Sequence, residues 1–202
     1  MIDTKFTVVF PCYNEEENVM ETYARVRDVM ENSNLTPFEL IFIDDGSEDK
    51  TFNLLEELAT KDNRVKVISF SRNFGHESAT TAGLNFASGE YVFLIDADLQ
   101  DPPELFPQMY GMLRRENANC VYGVRKKRKG ESFLKKFTSS IFYRFYNAIA
   151  EIKFPADTGD FRIIDKKILD EFNLLPENNV YVRGLLTWVG FKQIPLKRKK
   201  KG

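Results

Sequence analysis

The feature that most constrains this chain is a repeated unit. A short run of β-branched and aromatic residues breaks off in polar residues and is followed by a longer amphipathic segment. The runs are KFTVVFPCY (5–13), FELIFIDDGS (38–47), VKVISFSRN (65–73) and YVFLIDAD (91–98), separated by EEENVMETYARVRDVMENS, DKTFNLLEELATKD and HESATTAGLNFAS. Strand and helix in strict alternation predict an α/β protein with a mainly parallel sheet covered by helices on both faces, because each parallel pair needs a crossover. Ser47 with Lys50 and Thr51 reads as the first turn of the second helix, and Ser88-Gly89 as the close of the third. With 202 residues, 43% of them hydrophobic, there is material for one well-buried domain over 1–202.

Open parallel sheets bind ligands beyond the carboxyl ends of their strands. Here those ends read Pro11-Cys12-Tyr13-Asn14-Glu15, Asp44-Asp45-Gly46-Ser47, Ser71-Arg72-Asn73 and Asp96-Ala97-Asp98. Any one of them alone is a solvated strand end leading into a helix cap. Four in series put polar chemistry along one edge of the sheet. In the last, YVFLIDADLQDPPEL, an apolar run enters Asp96, Asp98, Gln100 and Asp101, and the D-x-D spacing turns both carboxylates to one side of an extended segment. Asp101, before Pro102-Pro103, reads as a helix start.

The charges balance overall, 29 basic against 30 acidic residues, which argues against a general nucleic-acid binder. They segregate, however. Between Gly123 and Phe145 stand Arg125, Lys126, Lys127, Arg128, Lys129, Lys135, Lys136 and Arg144 against the single acid Glu131. Cys12 and Cys120 lie in apolar, strand-like contexts and read as small core residues of a reducing compartment. No signal peptide is visible, and no apolar run nears the roughly 18 residues a spanning helix requires.

The ordered set VVFPCYNEEENV, IFIDDGSEDKT, SRNFGHESATTAGLNFASGEYVFLIDADLQDPPEL, VYGVRKKRKGES, DTGDFRIID and YVRGLLTWVGF resembles the inverting family 2 glycosyltransferases. The similarity runs over essentially the whole chain, and the nearest branch is the dolichyl- or undecaprenyl-phosphate sugar transferases. It implies a GT-A type fold, a UDP- or GDP-sugar donor and a divalent ion, Mg2+ or Mn2+, that neutralises charge on the departing diphosphate. By the same resemblance Asp98 is the direct metal ligand. Asp96 meets the ribose or the metal through water, and Gln100 faces the same way.

Pro11, Tyr13 and Glu15 resemble the nucleotide-binding strand end, with Tyr13 offering a flat face to the base. Asp44 or Asp45 is expected to accept from the base or ribose, Gly46 permitting the tight turn. Arg72 and Asn73 either reach the nucleotide or staple their own loop. His76, the only histidine, stands at a helix start and reads as a cap or as packing behind the site.

For the acceptor, Asp157 matches the family position of the base, with Asp160 close enough to compete; alternatively these acids pair with Arg162 and fix the turn. A sugar hydroxyl needs such a base, whereas a lipid phosphate is already ionised and needs positive charge. Arg125 resembles the family's arginine at the rim, and Arg128 follows it. Lys136 and Ser140, at i and i+4 of a helix, resemble the basic residue and hydroxyl that hold lipid phosphate, with Lys where relatives carry Arg. Phe133, Phe137, Ile141, Phe145 and Ala148 repeat at helical spacing beside Lys135, Lys136 and Arg144, which suits either a core stripe or an interfacial helix. In PLKRKKKG, Arg198 or Lys199 takes the place of the basic residue that swings over the diphosphate.

The expectation is therefore a metal-dependent hexosyltransferase acting on a polyprenyl phosphate at the cytoplasmic face of the cell membrane. The chain would be the catalytic part of a longer protein with transmembrane helices beyond Gly202. Transfer to a sugar hydroxyl of a growing glycan is the enzymatic alternative, and a nucleotide-binding docking module the non-enzymatic one. Donor sugar and oligomeric state are not legible.

Overall fold

The computed structural model describes residues 5–125, 158–175 and 181–198, with backbone alone at Arg125, Thr158 and Arg198. The alternating pattern resolves into β1 (Phe6–Cys12), α1 (Val19–Asn32), β2 (Phe38–Asp44), α2 (Thr51–Lys61), β3 (Val65–Ser69), α3 (His76–Phe86) and β4 (Tyr91–Leu94). A 3-10 turn (Pro103–Leu105) then opens α4 (Phe106–Arg115), followed by β5 (Cys120–Arg125), β6 (Thr158–Asp165), α5 (Lys166–Asn173), α6 (Val182–Trp188) and β7 (Gln193–Arg198).

These strands form a seven-stranded sheet in the order β3-β2-β1-β4-β6-β5-β7. Pairing is parallel except at β6, which runs antiparallel to both β4 and β5. That reversal matters for chemistry. Leu94 pairs with Arg162 and Val124 with Thr158, so the amino end of β6 lies on the edge where the other strands finish.

Alternation along each strand supplies two cores. Val8, Phe10, Leu40, Phe42 and Phe93 face α1, α2 and α4, whereas Val9, Ile41, Ile43, Val92 and Leu94 face α3, α5 and α6. On the first face Phe10 stacks on Phe42 at 4.3 Å and Phe93 on Phe106 at 4.1 Å. On the second, α3 lies so near the sheet that a Cβ at Gly83 would stand 2.2 Å from Val9 Cγ1.

Two strands end earlier than the apolar pattern suggests, β3 at Ser69 and β4 at Leu94. Burial continues past the end of β4, through Ile95 and Ala97, but pairing does not. Ile95 N–H still donates to Val9 O at 3.2 Å, after which Ala97 O accepts from the Thr22 hydroxyl at 2.9 Å. Pro11, two residues beyond Val9, faces the same neighbour where β4 has already left the ladder, so a central strand tolerates a proline there.

Candidate active site

Three loops at the carboxyl edge are fastened to one another before any ligand is considered. Asn14, with φ 55°, donates its N–H to Ser47 Oγ at 3.0 Å and accepts from Glu48 N–H at 2.9 Å. Glu16 N–H donates to Asp49 and Lys50 N–H to Glu16, at 3.1 and 3.0 Å, closing a reciprocal lacing between the β1 and β2 loops. Gly46, with φ 69°, lies against the third loop, where a Cβ would stand 2.3 Å from the Arg72 carbonyl carbon. No other residue type satisfies both demands.

This lacing separates the paired aspartates. Asp44 is buried, accepting from Ser47 N–H at 3.2 Å and Ser69 Oγ at 3.0 Å, and it does not line the cavity described below. Of the two, Asp44 spends its carboxylate on the turn. Asp45 reaches the cavity while its two oxygens take Phe74 and Gly75 N–H at 2.7 and 2.9 Å. Arg72 staples its loop, donating to Asn73 O at 2.9 Å and lying 4.0 Å over Phe74, while Asn73 lines the cavity.

A cavity of about 350 Å³ opens among Pro11, Tyr13, Glu15, Asp45, His76, Asp96 and Asp98, with Cys12 in its wall. Burial, reinforced by the charges of Glu15, Asp44 and Asp96, pushes the Cys12 thiol well up from its ordinary range. A thiol held protonated is no nucleophile, so the carboxylates dominate the chemistry. Their oxygens are the donor type that Mg2+ and Mn2+ take, and Asp96 and Asp98, both half-buried, fit such an ion.

Gln100 does not line that cavity. The extended backbone has ended, Leu99 turns to φ 59°, and Gln100 is exposed, its N–H donating to Asp98 Oδ1 at 2.9 Å. Asp96 and Asp98, on either side of buried Ala97, both line the cavity, whereas the extended backbone that would carry the alternation on to Gln100 has ended. Asp101 is buried, 1% exposed, immediately before Pro102, the cap of the 3-10 turn, so a helix does start where the sequence placed one.

His76 opens α3, but among the described residues no side chain caps that helix. Its Nε2 lies 3.2 Å from Asp160 Oδ2 and 3.7 Å from Asp96 Oδ1. Asp160 arrives from the amino end of β6, and its Oδ1 lies 3.2 Å from Arg183 Nε at the start of α6. Arg162 instead donates to Gly159 O at 3.1 Å, so the cation paired with Asp160 is Arg183 and not the Arg162 that the alternative reading named. His76, Asp96 and Asp160 bring ligand-type atoms within 4.8 Å of one another.

Burial by itself would raise the Asp160 carboxyl. The His76 hydrogen bond and the charges of Arg183, Arg162 and His76 outweigh it and hold the group below its usual range. His76 is raised, chiefly by the same bond to Asp160, against a desolvation penalty. An acid held ionised in this way is a weak proton acceptor. The role of Arg183 was not readable from sequence, where it was one letter within YVRGLLTWVGF; its only signal is an arginine opening a short helix.

Arg125 and Arg198 end β5 and β7 as register partners on this same edge. Asp157, Arg128, Lys136, Ser140 and the 132–150 segment lie outside the described residues, as does Lys199. Among the described residues no helix is long and apolar enough to cross a membrane.

Comparison with known proteins places this geometry. The uncharacterized glycosyltransferase YkcC of Bacillus subtilis is 49% identical over 189 residues, covering 94% of this chain and 58% of that protein. The bactoprenol glucosyl transferase of Shigella phage SfV is 40% identical over 188 residues, covering 92% and 60%. The chain thus spans about three fifths of the length of these relatives. A mannosyltransferase, PcManGT from Pyrobaculum calidifontis, solved with GDP-Man and Mn2+, superposes with a TM-score of 0.67 at 20% identity, covering 96% of this chain and 55% of that one. The fold is accordingly GT-A-like, an α/β sandwich around a mostly parallel sheet. Residues 7–172 match the family model described as glycosyl transferase family 2, and the chain belongs to that family.

Proposed function

We propose that this chain is the catalytic part of an inverting hexosyltransferase that moves a sugar from a UDP- or GDP-sugar to a polyprenyl phosphate at the cytoplasmic face of a membrane. The observation that carries the reading is the sheet register. The acidic cavity of Asp96 and Asp98 opens on the same sheet edge at which the register-paired strand ends, residues Arg125 and Arg198, finish. The 40% identity to a protein named for bactoprenol glucosyl transfer supports the acceptor class.

A phosphate oxygen of the acceptor attacks the anomeric carbon as the bond to the nucleoside diphosphate breaks, and the leaving diphosphate departs with the electron pair. When bound, Mg2+ or Mn2+ would supply charge neutralisation on that diphosphate, with Asp98 and Asp96 to hold it. Tyr13 and Asp45 border the space for the nucleoside. Arg125 and Arg198 suit phosphate oxygens.

No proton need be removed from an ionised phosphate, so Asp160 is not required as a base. Its pairing with His76 and Arg183 agrees with a holding role. Asp157 remains the proposed base only for hydroxyl acceptors.

The test is transfer of labelled hexose from UDP- and GDP-sugars, with Mn2+, to polyprenyl phosphate or to oligosaccharide. Label in the organic phase that requires the lipid phosphate supports the proposal. Label on oligosaccharide alone would assign the hydroxyl acceptor instead.

A further inference from the structure

We infer that Arg183 is a positioning residue of the donor site, fixing through Asp160 where the His76 ring stands against Asp96. The inference deepens the proposed function and rests on it for the role of Asp96. The first turns of α3 and α6 meet at successive positions. Glu77 Oε2 accepts the Val182 N–H at 2.9 Å, and one residue on in α6, Arg183 Nε lies 3.2 Å from Asp160 Oδ1. Asp160 presents its other oxygen, Oδ2, to His76 Nε2 at 3.2 Å, and the same nitrogen lies 3.7 Å from Asp96 Oδ1.

Arg183, Asp160, His76 and Asp96 thus form one chain of contacts joining α6, β6, α3 and the loop after β4. Removing the guanidinium leaves Asp160 one partner fewer among the described residues and frees its carboxylate to turn. The ring it holds then loses its fixed place beside Asp96. Arg183 and Asp160 do not line the cavity, so their effect on the donor passes through His76 and Asp96, which do.

His76 is the only histidine, so its ring proton signals are unambiguous in an NMR spectrum of the whole chain. Arg183→Met should shift or broaden them and weaken Mn2+-dependent nucleotide binding about 10-fold, with Arg183→Lys recovering part of the loss. Lys166→Met, which removes a cation from the neighbouring α5 where it pairs with Asp170 and touches none of these contacts, should change binding by less than about twofold. In a His76→Ala background, Arg183→Met should add less than about twofold, since both act through one path.

Unchanged His76 signals in Arg183→Met, or an equal loss in Lys166→Met, would overturn the inference. So would altered signals with unaltered nucleotide affinity. If the unsubstituted chain binds neither UDP nor GDP with Mn2+, the donor-site reading fails by itself, and the His76 signals alone decide whether Arg183 holds the ring.

Discussion

Two groups of opposite charges sit at opposite edges of the sheet. At the amino edge, Asp62 accepts from Tyr23 Oη at 2.9 Å and from Arg64 Nε and a terminal guanidinium nitrogen at 2.9 and 2.7 Å. The Arg64 guanidinium also reaches Glu31 at 2.8 Å and lies 4.6 Å from the Phe38 ring. At the carboxyl edge, Glu15, Asp45, Asp96 and Asp98 converge on a cavity that His76 shares. The first group also borders an open groove, but its charges are answered one by one, Asp62 by Arg64 two residues away and Arg64 by Glu31 as well. The second gathers more carboxylate than cation around an open space, an arrangement suited to a cationic ligand. A cavity lined by charges therefore does not by itself mark a site; an excess of carboxylate over cation around it does.

That contrast is open to measurement, and its largest consequence concerns binding. Asp98→Ala should weaken Mn2+-dependent nucleotide binding by about 100-fold or more, close to 2.7 kcal/mol, while moving the thermal midpoint by no more than about 2 °C. Calorimetric titration with UDP and GDP checks it, and retained affinity would erase the distinction between the two edges.

Asp62→Ala should do the converse, lowering the unfolding free energy by about 2 kcal/mol, since it strands the partly buried Arg64 and Tyr23 donors. Nucleotide affinity should stay within about twofold, as denaturant unfolding and the same titration would report.

A smaller difference lies in pH. The Arg64 hydrogen bond, acting against burial, holds the Asp62 carboxyl at about 2, from an ordinary 3.8. A depressed carboxyl contributes its stability above the unfolded value and loses it as pH falls toward the folded one. The wild type should therefore lose roughly 1 kcal/mol more than Asp62→Asn between about pH 4 and pH 3.

His76 carries the opposite sign. Its raised value means a contribution complete below the ordinary imidazole range and fading as pH rises through the folded value. Because the ring is exposed, this should be the smallest effect, visible as the stability difference between wild type and His76→Gln in metal-free buffer.

Much of this was legible in the chain of letters. The order of β1 to β4 with α1 to α3, the two buried cysteines and the polar edge follow from patterns that repeat within about ten residues, the range over which periodicity and turn chemistry act. Gly46 was readable as a turn residue, though not its contact with Arg72. The antiparallel β6 was not, because nothing local in DTGDFRIID states which neighbours it will pair with or in which direction.

By itself, then, the sequence determined the alternating α/β order, the edge on which polar strand ends collect and the acids that supply it. Only the tertiary structure decided which of those acids face the cavity. It buried Asp44 in a turn, left Gln100 off the cavity wall and brought Asp160 against His76 across 84 positions of sequence. The physical reason is range. Side-chain periodicity and capping act between near neighbours in the chain, whereas the site is assembled by strand pairing and helix docking, whose partners are chosen through space.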